Sequence, residues 1–196
     1  MSNGTALHTD TRQKIINATL LVAAKNGFDR ATTGEISRTA GVSEGIIYHY
    51  FRSKQDLYIS MIRERAANYR QALKDEIGII HGPRQKLEGL IDFHFGNFTG
   101  KKSIFHGVLD RAGDTPIIKE QLIKIAIAPY SKVIAEIIKE GVETGEFKGI
   151  DPSVAALNLL GMMQVPALVM HFNQADFSVQ RAADTVKRIF FGGLLK

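Results

Sequence analysis

Apolar residues recur every three or four positions along most of the chain, the spacing that places them on one face of an α-helix. Residues 1–9 are polar and predict a frayed tail, and proline or glycine interrupts the later apolar patterns where helices are expected to end or bend. No stretch alternates as a strand would, so the pattern predicts an all-α fold. All predicted elements are helices. They span Arg12–Lys25, two short helices over 32–51, Ser53–Ile80, Arg84–Phe98, Ser103–Asp110, Pro116–Thr144 with a kink near Pro129, Pro152–Phe172 with a kink at Pro166, and a last helix from Ser178 to before Gly192.

The two short helices have the signals of a helix-turn-helix. Thr32 and Glu35 have the T-x-x-E spacing of a capping box, in which each side chain accepts from the other residue's backbone N–H. Gly41 follows at the place where the chain must leave the helix, and a glycine takes the left-handed conformation needed there at little cost. Ser43 is a natural N-cap for the next helix. Ile47 and Phe51 are four residues apart and would pack that helix against the first two.

This motif predicts a DNA-binding site, because its second helix enters the major groove. Thr32 and Thr33 begin the first of its helices and are expected to bind phosphate, while Tyr48, Tyr50 and Lys54 are expected to hold the flanking phosphates. Two roles are possible for Glu44: its carboxylate accepts a hydrogen bond from a cytosine amino group, or it complements the helix dipole. The alternative to phosphate binding is that the two tyrosines pack in the core and that Lys54 is a solvated surface charge. Base reading is assigned to Ser43, Glu44, Gly45, Ile46 and His49.

The same stretch resembles the TetR family of bacterial transcriptional repressors. The matching positions are Ile36, Ala40-Gly41-Val42-Ser43, Gly45, Tyr48, Tyr50-Phe51, Lys54 and Leu57. Ser37 and Ala23 depart from the family pattern, which has an alanine and a large aromatic there. The resemblance implies a dimer that reads a palindromic operator and answers to a small effector. It also implies phosphate contacts at Thr33, Tyr48, Tyr50 and Lys54.

Composition and charge narrow the choice of function. The net charge is +5, but residues 1–56 carry seven Lys and Arg against five Asp and Glu, a net charge of only +2, so the motif and not the total charge supports DNA binding. The absence of cysteine excludes disulfides and thiolate metal sites. The histidines lack metal-ligand spacing, and no phosphate loop or G-x-S-x-G elbow is present. We therefore expect no enzyme, cofactor or metal. No apolar run approaches the ~18 residues that a membrane span needs, so a cytoplasmic protein is expected.

The sequence divides into a predicted DNA-binding domain over 1–56 and a helical effector-binding and dimerisation domain over 57–196, joined by the long helix from Ser53. An apolar effector pocket is predicted from aromatic, methionine and polar residues, with ordinary core packing as the alternative; its residues are Tyr69, Leu90, His94, Phe95, Phe98, Phe105, Tyr130, Met163 and Gln164. A dimer interface is predicted at Leu157, Gly161, Val165, Leu168, Ala182, Val186 and Phe190, where the alternative is closure of the protomer's own core. Regulation by a protein partner instead of a small molecule is the competing function.

Overall fold

The structure is a computed structural model that describes residues 3–27, 29–97, 116–171 and 176–195. Within these ranges the regular secondary structure is helical, and the β pairing is limited to one isolated bridge between Phe147 and Leu195. The all-α prediction is therefore confirmed. The helices are α1 (Asn3–Asn26), α2 (Thr33–Ala40), α3 (Glu44–Tyr50), α4 (Lys54–Gly78), α5 (Pro83–Gly96), α6 (Pro116–Leu122), α7 (Ala128–Glu143), α8 (Pro152–His171) and α9 (Val179–Leu194). The helix predicted over Ser103–Asp110 lies outside the described residues.

The described residues fall into two compact units, within Met1–Ala66 plus Ile104–Ile125 and within Ala67–Ser103 plus Ala126–Lys196. Helix α4 contributes its first half to one unit and its second half to the other. Ile118 of α6 is fully buried in the core of the first unit. The division predicted at residues 56 and 57 stays a prediction about which residues serve which function.

In the first unit, α1 begins earlier than the sequence pattern indicates. Residues 1–9 were expected to be a frayed tail, but the helix already starts at Asn3. Asp10, which precedes the predicted first helix, lies inside α1 and pairs with Lys14 one turn later at 2.6 Å. No proline interrupts the segment before Asp10, so nothing in the backbone chemistry ends the helix there.

The second unit has its own apolar core, to which α5, α7, α8 and α9 contribute. The predicted kink near Pro129 takes the form of a π-helical turn, Ile123–Ile127, directly before α7. A proline there lacks a backbone N–H, and a wider turn accommodates that loss. After α7 the chain reverses, and Phe147 is buried against the backbone of Gly141.

Helix α8 carries no charged residue, and its segment Pro152–Met170 is long and apolar enough to cross a membrane, with a mean hydropathy of 1.6. The expectation that no apolar run approaches this length was wrong. The polar residues Ser153, Asn158 and Gln164 break the continuous apolar run, but the mean hydropathy of the segment stays high. Only 28% of the segment is buried, so the protomer's own core covers a minor part of this helix.

Candidate nucleic-acid interface and effector region

The α2–turn–α3 segment is held in place by the contacts that its sequence predicts. The Thr32 N–H donates to Glu35 Oε2 at 3.1 Å, and the Glu35 N–H donates to Thr32 Oγ1 at 3.2 Å, which completes the capping box. The backbone hydrogen bond from Thr32, followed by that from its hydroxyl, holds the pKa of Glu35 below its ordinary value. Gly41 has φ +68°, the left-handed conformation expected of it.

Helix α3 has one buried and one exposed face. Ile47 and Phe51 are buried in the core of the first unit, with 1% and 2% of their surfaces exposed, and they fix the helix to its support. Ser43 occupies the N-cap position in extended conformation, but its hydroxyl makes no cap hydrogen bond. The N-cap prediction is therefore confirmed for the position of Ser43, but the expected side-chain hydrogen bond is absent. The residues assigned to base reading are all exposed, namely Ser43, Glu44, Gly45, Ile46 and His49.

Three of the predicted DNA-contacting residues meet at the first turn of α2. The Thr33 hydroxyl donates a short hydrogen bond to Glu44 Oε1 and lies 3.5 Å from the Tyr48 hydroxyl. Tyr48 is 52% exposed, so it is not a packing aromatic of the protomer. These residues are 11 and 15 positions apart in the chain, and the turn at Gly41 brings them together.

The remaining predicted phosphate contacts lie close to the core. The Lys54 ammonium donates to the carbonyl of Asp29 at 3.0 Å, which positions it at the start of α4. Tyr50 is half-buried, and its ring meets the ring of His49 edge-on at a centroid distance of 5.3 Å. Tyr50 thus combines a packing role with a partly accessible ring.

In the second unit, the predicted effector residues surround a buried histidine. The hydroxyls of Tyr69 and Tyr130 each lie 3.4 Å from His94 Nδ1, and the rings of Tyr130 and His94 are stacked at 6.1 Å. Burial raises the pKa of both tyrosines, which keeps their hydroxyls neutral.

The other predicted effector residues vary in accessibility. Leu90, Phe95 and Met163 are fully buried in the core of the second unit, as the core alternative expects. Gln164 is half-buried. Phe98 and Phe105 lie outside the described residues. The structure therefore groups Tyr69, His94 and Tyr130 as the polar part of this region.

The predicted dimer residues divide into two groups. Leu157 and Val165 on α8 are 54% and 62% exposed, Gly161 is exposed, and Leu168 is half-buried. On α9, Ala182 and Val186 are largely buried in the core of their own unit and line a groove between α8 and α9, and Phe190 is half-buried. The helical pattern of α9 cannot distinguish a face that meets a partner from a face that meets its own core.

On α8 and α9, two further exposed apolar residues were missed by the sequence reasoning. Val154 lies three residues before Leu157 on α8, and Ile189 lies on α9; both are exposed. A groove of about 380 Å³ lies between α8 and α9 and is lined in part by Met162, Pro166 and Ile189. The i, i+3 spacing of Val154 and Leu157 was the available signal.

Comparisons with known proteins agree on the family. Residues 15–61 match the family described as bacterial regulatory proteins, tetR family, and residues 81–167 match the family described as tetracyclin repressor-like, C-terminal domain. The fatty acid metabolism regulator protein of Bacillus subtilis is 24% identical over 182 residues, which are 92% of this chain and 94% of that protein. The transcriptional regulator BetI of Pseudomonas fluorescens is 43% identical over 94 residues, 44% of each chain. These relatives are regulators, not enzymes.

Solved structures share the fold over nearly the whole chain. The regulator FadR from Bacillus subtilis, solved in complex with stearoyl-CoA, superposes with a TM-score of 0.84 at 24% identity and covers 92% of this chain and 98% of its own. A transcriptional regulator from Saccharomonospora viridis, solved with choline, gives a TM-score of 0.83 at 17% identity and covers 96% of this chain and 99% of its own. Together with the two family matches, these results show that the chain belongs to the TetR family of bacterial transcriptional regulators.

Proposed function

We propose that this protein is a ligand-responsive transcriptional repressor that binds a palindromic operator as a homodimer in the cytoplasm. The observation that carries the proposal is the two-sided character of α3. Ile47 and Phe51 attach one face to the core of the first unit, while Glu44, Gly45 and Ile46 stand exposed at the N-terminal end that reads bases in this motif.

We assign base contacts, which read the DNA sequence, and phosphate contacts, which do not, to different groups of side chains. Thr33, Tyr48 and Lys54 offer hydroxyl and ammonium donors to phosphates, which supply affinity that falls as the salt concentration rises. Ile46 is exposed and apolar and is suited to contact a thymine methyl group. Thr32 supports the site indirectly, because its hydroxyl caps α2.

A palindromic operator requires two chains, and we propose that they pair through α8. Leu157, Gly161 and Val165 form an exposed stripe on a helix that the protomer covers poorly. A partner related by two-fold symmetry would bury this stripe against its own copy. Each α3 would then read one half-site.

For the effector we propose a long-chain acyl-CoA. The support is a relative that regulates fatty acid metabolism and aligns over 92% of this chain, and a protein of the same fold that was solved with stearoyl-CoA. Among the described residues of the second unit, buried His94 has the hydroxyls of Tyr69 and Tyr130 beside it, and the rest of this interior is aliphatic and aromatic. Such an interior suits a hydrocarbon chain with a few polar groups to orient it.

The test combines operator selection with ligand addition. Full-length protein is used to enrich duplexes from a random library, and the enriched duplex is then titrated in the presence of stearoyl-CoA, free CoA or choline. We expect an inverted repeat, a higher melting temperature with stearoyl-CoA, and release of the duplex by stearoyl-CoA but not by free CoA.

Each result that contradicts the proposal points to a different part of it. Failure to enrich any sequence would refute operator binding. An enriched inverted repeat that none of the three compounds releases, together with a protein that co-purifies with the DNA-bound chain, would favour regulation by a protein partner. Release by choline alone would replace the proposed acyl-CoA with a quaternary ammonium effector.

A further inference from the structure

Glu44 makes a contact that neither of its sequence-based interpretations includes. Its carboxylate accepts a hydrogen bond from the Thr33 hydroxyl, and the Tyr48 hydroxyl lies 3.5 Å from the same Thr33 oxygen. Glu44 and Tyr48 are exposed, and Thr33 is half-buried. Glu44 thus engages the Thr33 hydroxyl, one of the groups on which phosphate binding is proposed to depend.

This contact competes with phosphate binding. A threonine hydroxyl has one proton to donate, and a phosphodiester oxygen, like a carboxylate, is only an acceptor. The Thr33 hydroxyl cannot donate to Glu44 and to a phosphate at once. A carboxylate left beside the phosphate would also repel it, since both carry negative charge. A phosphate that binds Thr33 must therefore displace Glu44.

The displaced carboxylate needs a new donor. Guanine and thymine present only acceptors to it, and the adenine amino group lies beside the N7 acceptor, which repels a carboxylate, so on these edges its displacement is poorly compensated. A cytosine amino group in the major groove has no such acceptor beside it on the exposed edge and is a donor that a glutamate can use. The loss is therefore best recovered at a cytosine.

We infer that Glu44 occupies the phosphate-binding hydroxyl of Thr33, which neighbours Tyr48, and so lowers affinity for DNA in general, with recovery where a base edge donates to the displaced carboxylate. This inference rests on the proposed DNA-binding function and deepens it. Glu44 becomes a specificity-determining residue that acts chiefly against the wrong sequences.

A double-mutant cycle on full-length protein tests the inference, with a labelled duplex of random sequence as the probe. The variants are Glu44→Ala, Thr33→Val and the double variant. Thr33→Val removes the hydroxyl and keeps the branched shape. We expect Glu44→Ala to tighten binding to random duplex by about 3- to 10-fold, as expected for the release of one hydrogen-bonding site and one repulsive charge. In the Thr33→Val background the gain should fall to about 2-fold or less, because coupled residues are not additive.

Two controls separate this effect from general electrostatics and from misfolding. Asp10→Asn removes one negative charge from the same unit at a surface ion pair with Lys14, and it should change affinity by less than about 2-fold. Glu44→Gln keeps the side-chain length and removes the charge. If Glu44→Ala is unstable, Glu44→Gln replaces it in the cycle.

The outcomes are distinct. Equal gains with and without the Thr33 hydroxyl, or weaker binding of random duplex by Glu44→Ala and Glu44→Gln, would overturn the role of Glu44 and leave DNA binding intact. Failure of the wild-type protein to bind any duplex would refute the proposed function itself. In library selection, a cytosine enriched by the wild type at one position of each half-site should lose its enrichment with Glu44→Ala; a preference that persists would also overturn the inference.

Discussion

The backbone of Gly141 at the end of α7 lies directly against the ring of Phe147, where a methyl group on Gly141 would come within 2.1 Å of Phe147 Cδ2. Phe147 is buried, and its N–H donates to the Gly141 carbonyl at 2.9 Å. The reversal of the chain after α7 therefore depends on the absence of a side chain at position 141.

Gly141→Ala should lower the free energy of unfolding by about 1–3 kcal/mol, because the buried ring and the added methyl cannot both be accommodated. Denaturant unfolding measures the change. Gly192→Ala in α9 is the matched control, since the described residues leave open space within 4 Å of that site, and alanine there should be neutral or stabilising. Equal stability of wild type and Gly141→Ala would show that Phe147 can leave this position.

Lys54→Met should weaken binding to every duplex and make the dependence of affinity on salt concentration less steep by about one unit on the double-logarithmic plot, because one phosphate contact is lost. Fluorescence anisotropy from low to moderate salt measures both quantities. Lys74→Met removes the same charge from an exposed position of the second unit and serves as the control. An unchanged salt slope in Lys54→Met would mean that Lys54 serves only to hold the Asp29 carbonyl.

Leu157→Asp should convert the proposed homodimer into a monomer, because it places a charge in the middle of the exposed apolar stripe of α8. Sedimentation equilibrium of the purified protein measures the oligomeric state. Asn158→Asp introduces the same charge at the next, polar and exposed, position and should leave the dimer intact. A dimer that survives Leu157→Asp would locate the interface on another surface.

The stability of the protein should fall as the pH rises above 10. Burial raises the pKa of Tyr58, Tyr69 and Tyr130 above the ordinary value of 10.0, so these side chains stay neutral in the folded chain at a pH where the unfolded chain ionises. The unfolded state then binds fewer protons, and the free energy of unfolding decreases with pH. Below pH 10 this contribution is fully present.

Tyr69→Phe tests this expectation, since it removes one of the three groups. The loss of stability per pH unit above 10 should be smaller by about 1.4 kcal/mol, the value for one proton. Thermal unfolding between pH 8 and about 11 measures the slopes, within the range where tyrosine titrates. Identical slopes for wild type and Tyr69→Phe would show that Tyr69 ionises in the folded state.

The helix-turn-helix over residues 32–51 was largely predictable because its signals are local. The capping box of Thr32 and Glu35, the left-handed Gly41 and the buried Ile47 each follow from chemistry within four residues of sequence. The contact between Thr33 and Glu44 was not predictable in the same way, because it joins two helices across a turn and depends on their angle.

The second unit was predictable as a set of helices but less well as a set of surfaces. Val186 and Leu157 both lie on apolar faces of long helices, yet the first is buried in the protomer and the second is exposed. Helical spacing identifies an apolar face and does not identify what covers it. The early start of α1 escaped prediction for another reason, since Asp10 is equally suited to begin a helix or to pair with Lys14 inside one.

The uncharged helix α8 also bears on how the chain is sorted during synthesis. Its mean hydropathy of 1.6 brings it near the composition that insertion machinery accepts as a spanning segment. Asn158 and Gln164 are therefore more than neutral surface positions, because leucine at both would move the nascent helix further toward the lipid bilayer. The proposed role of α8 therefore makes two demands on its composition: enough apolar surface to join two subunits, and enough polarity to disfavour insertion into a bilayer.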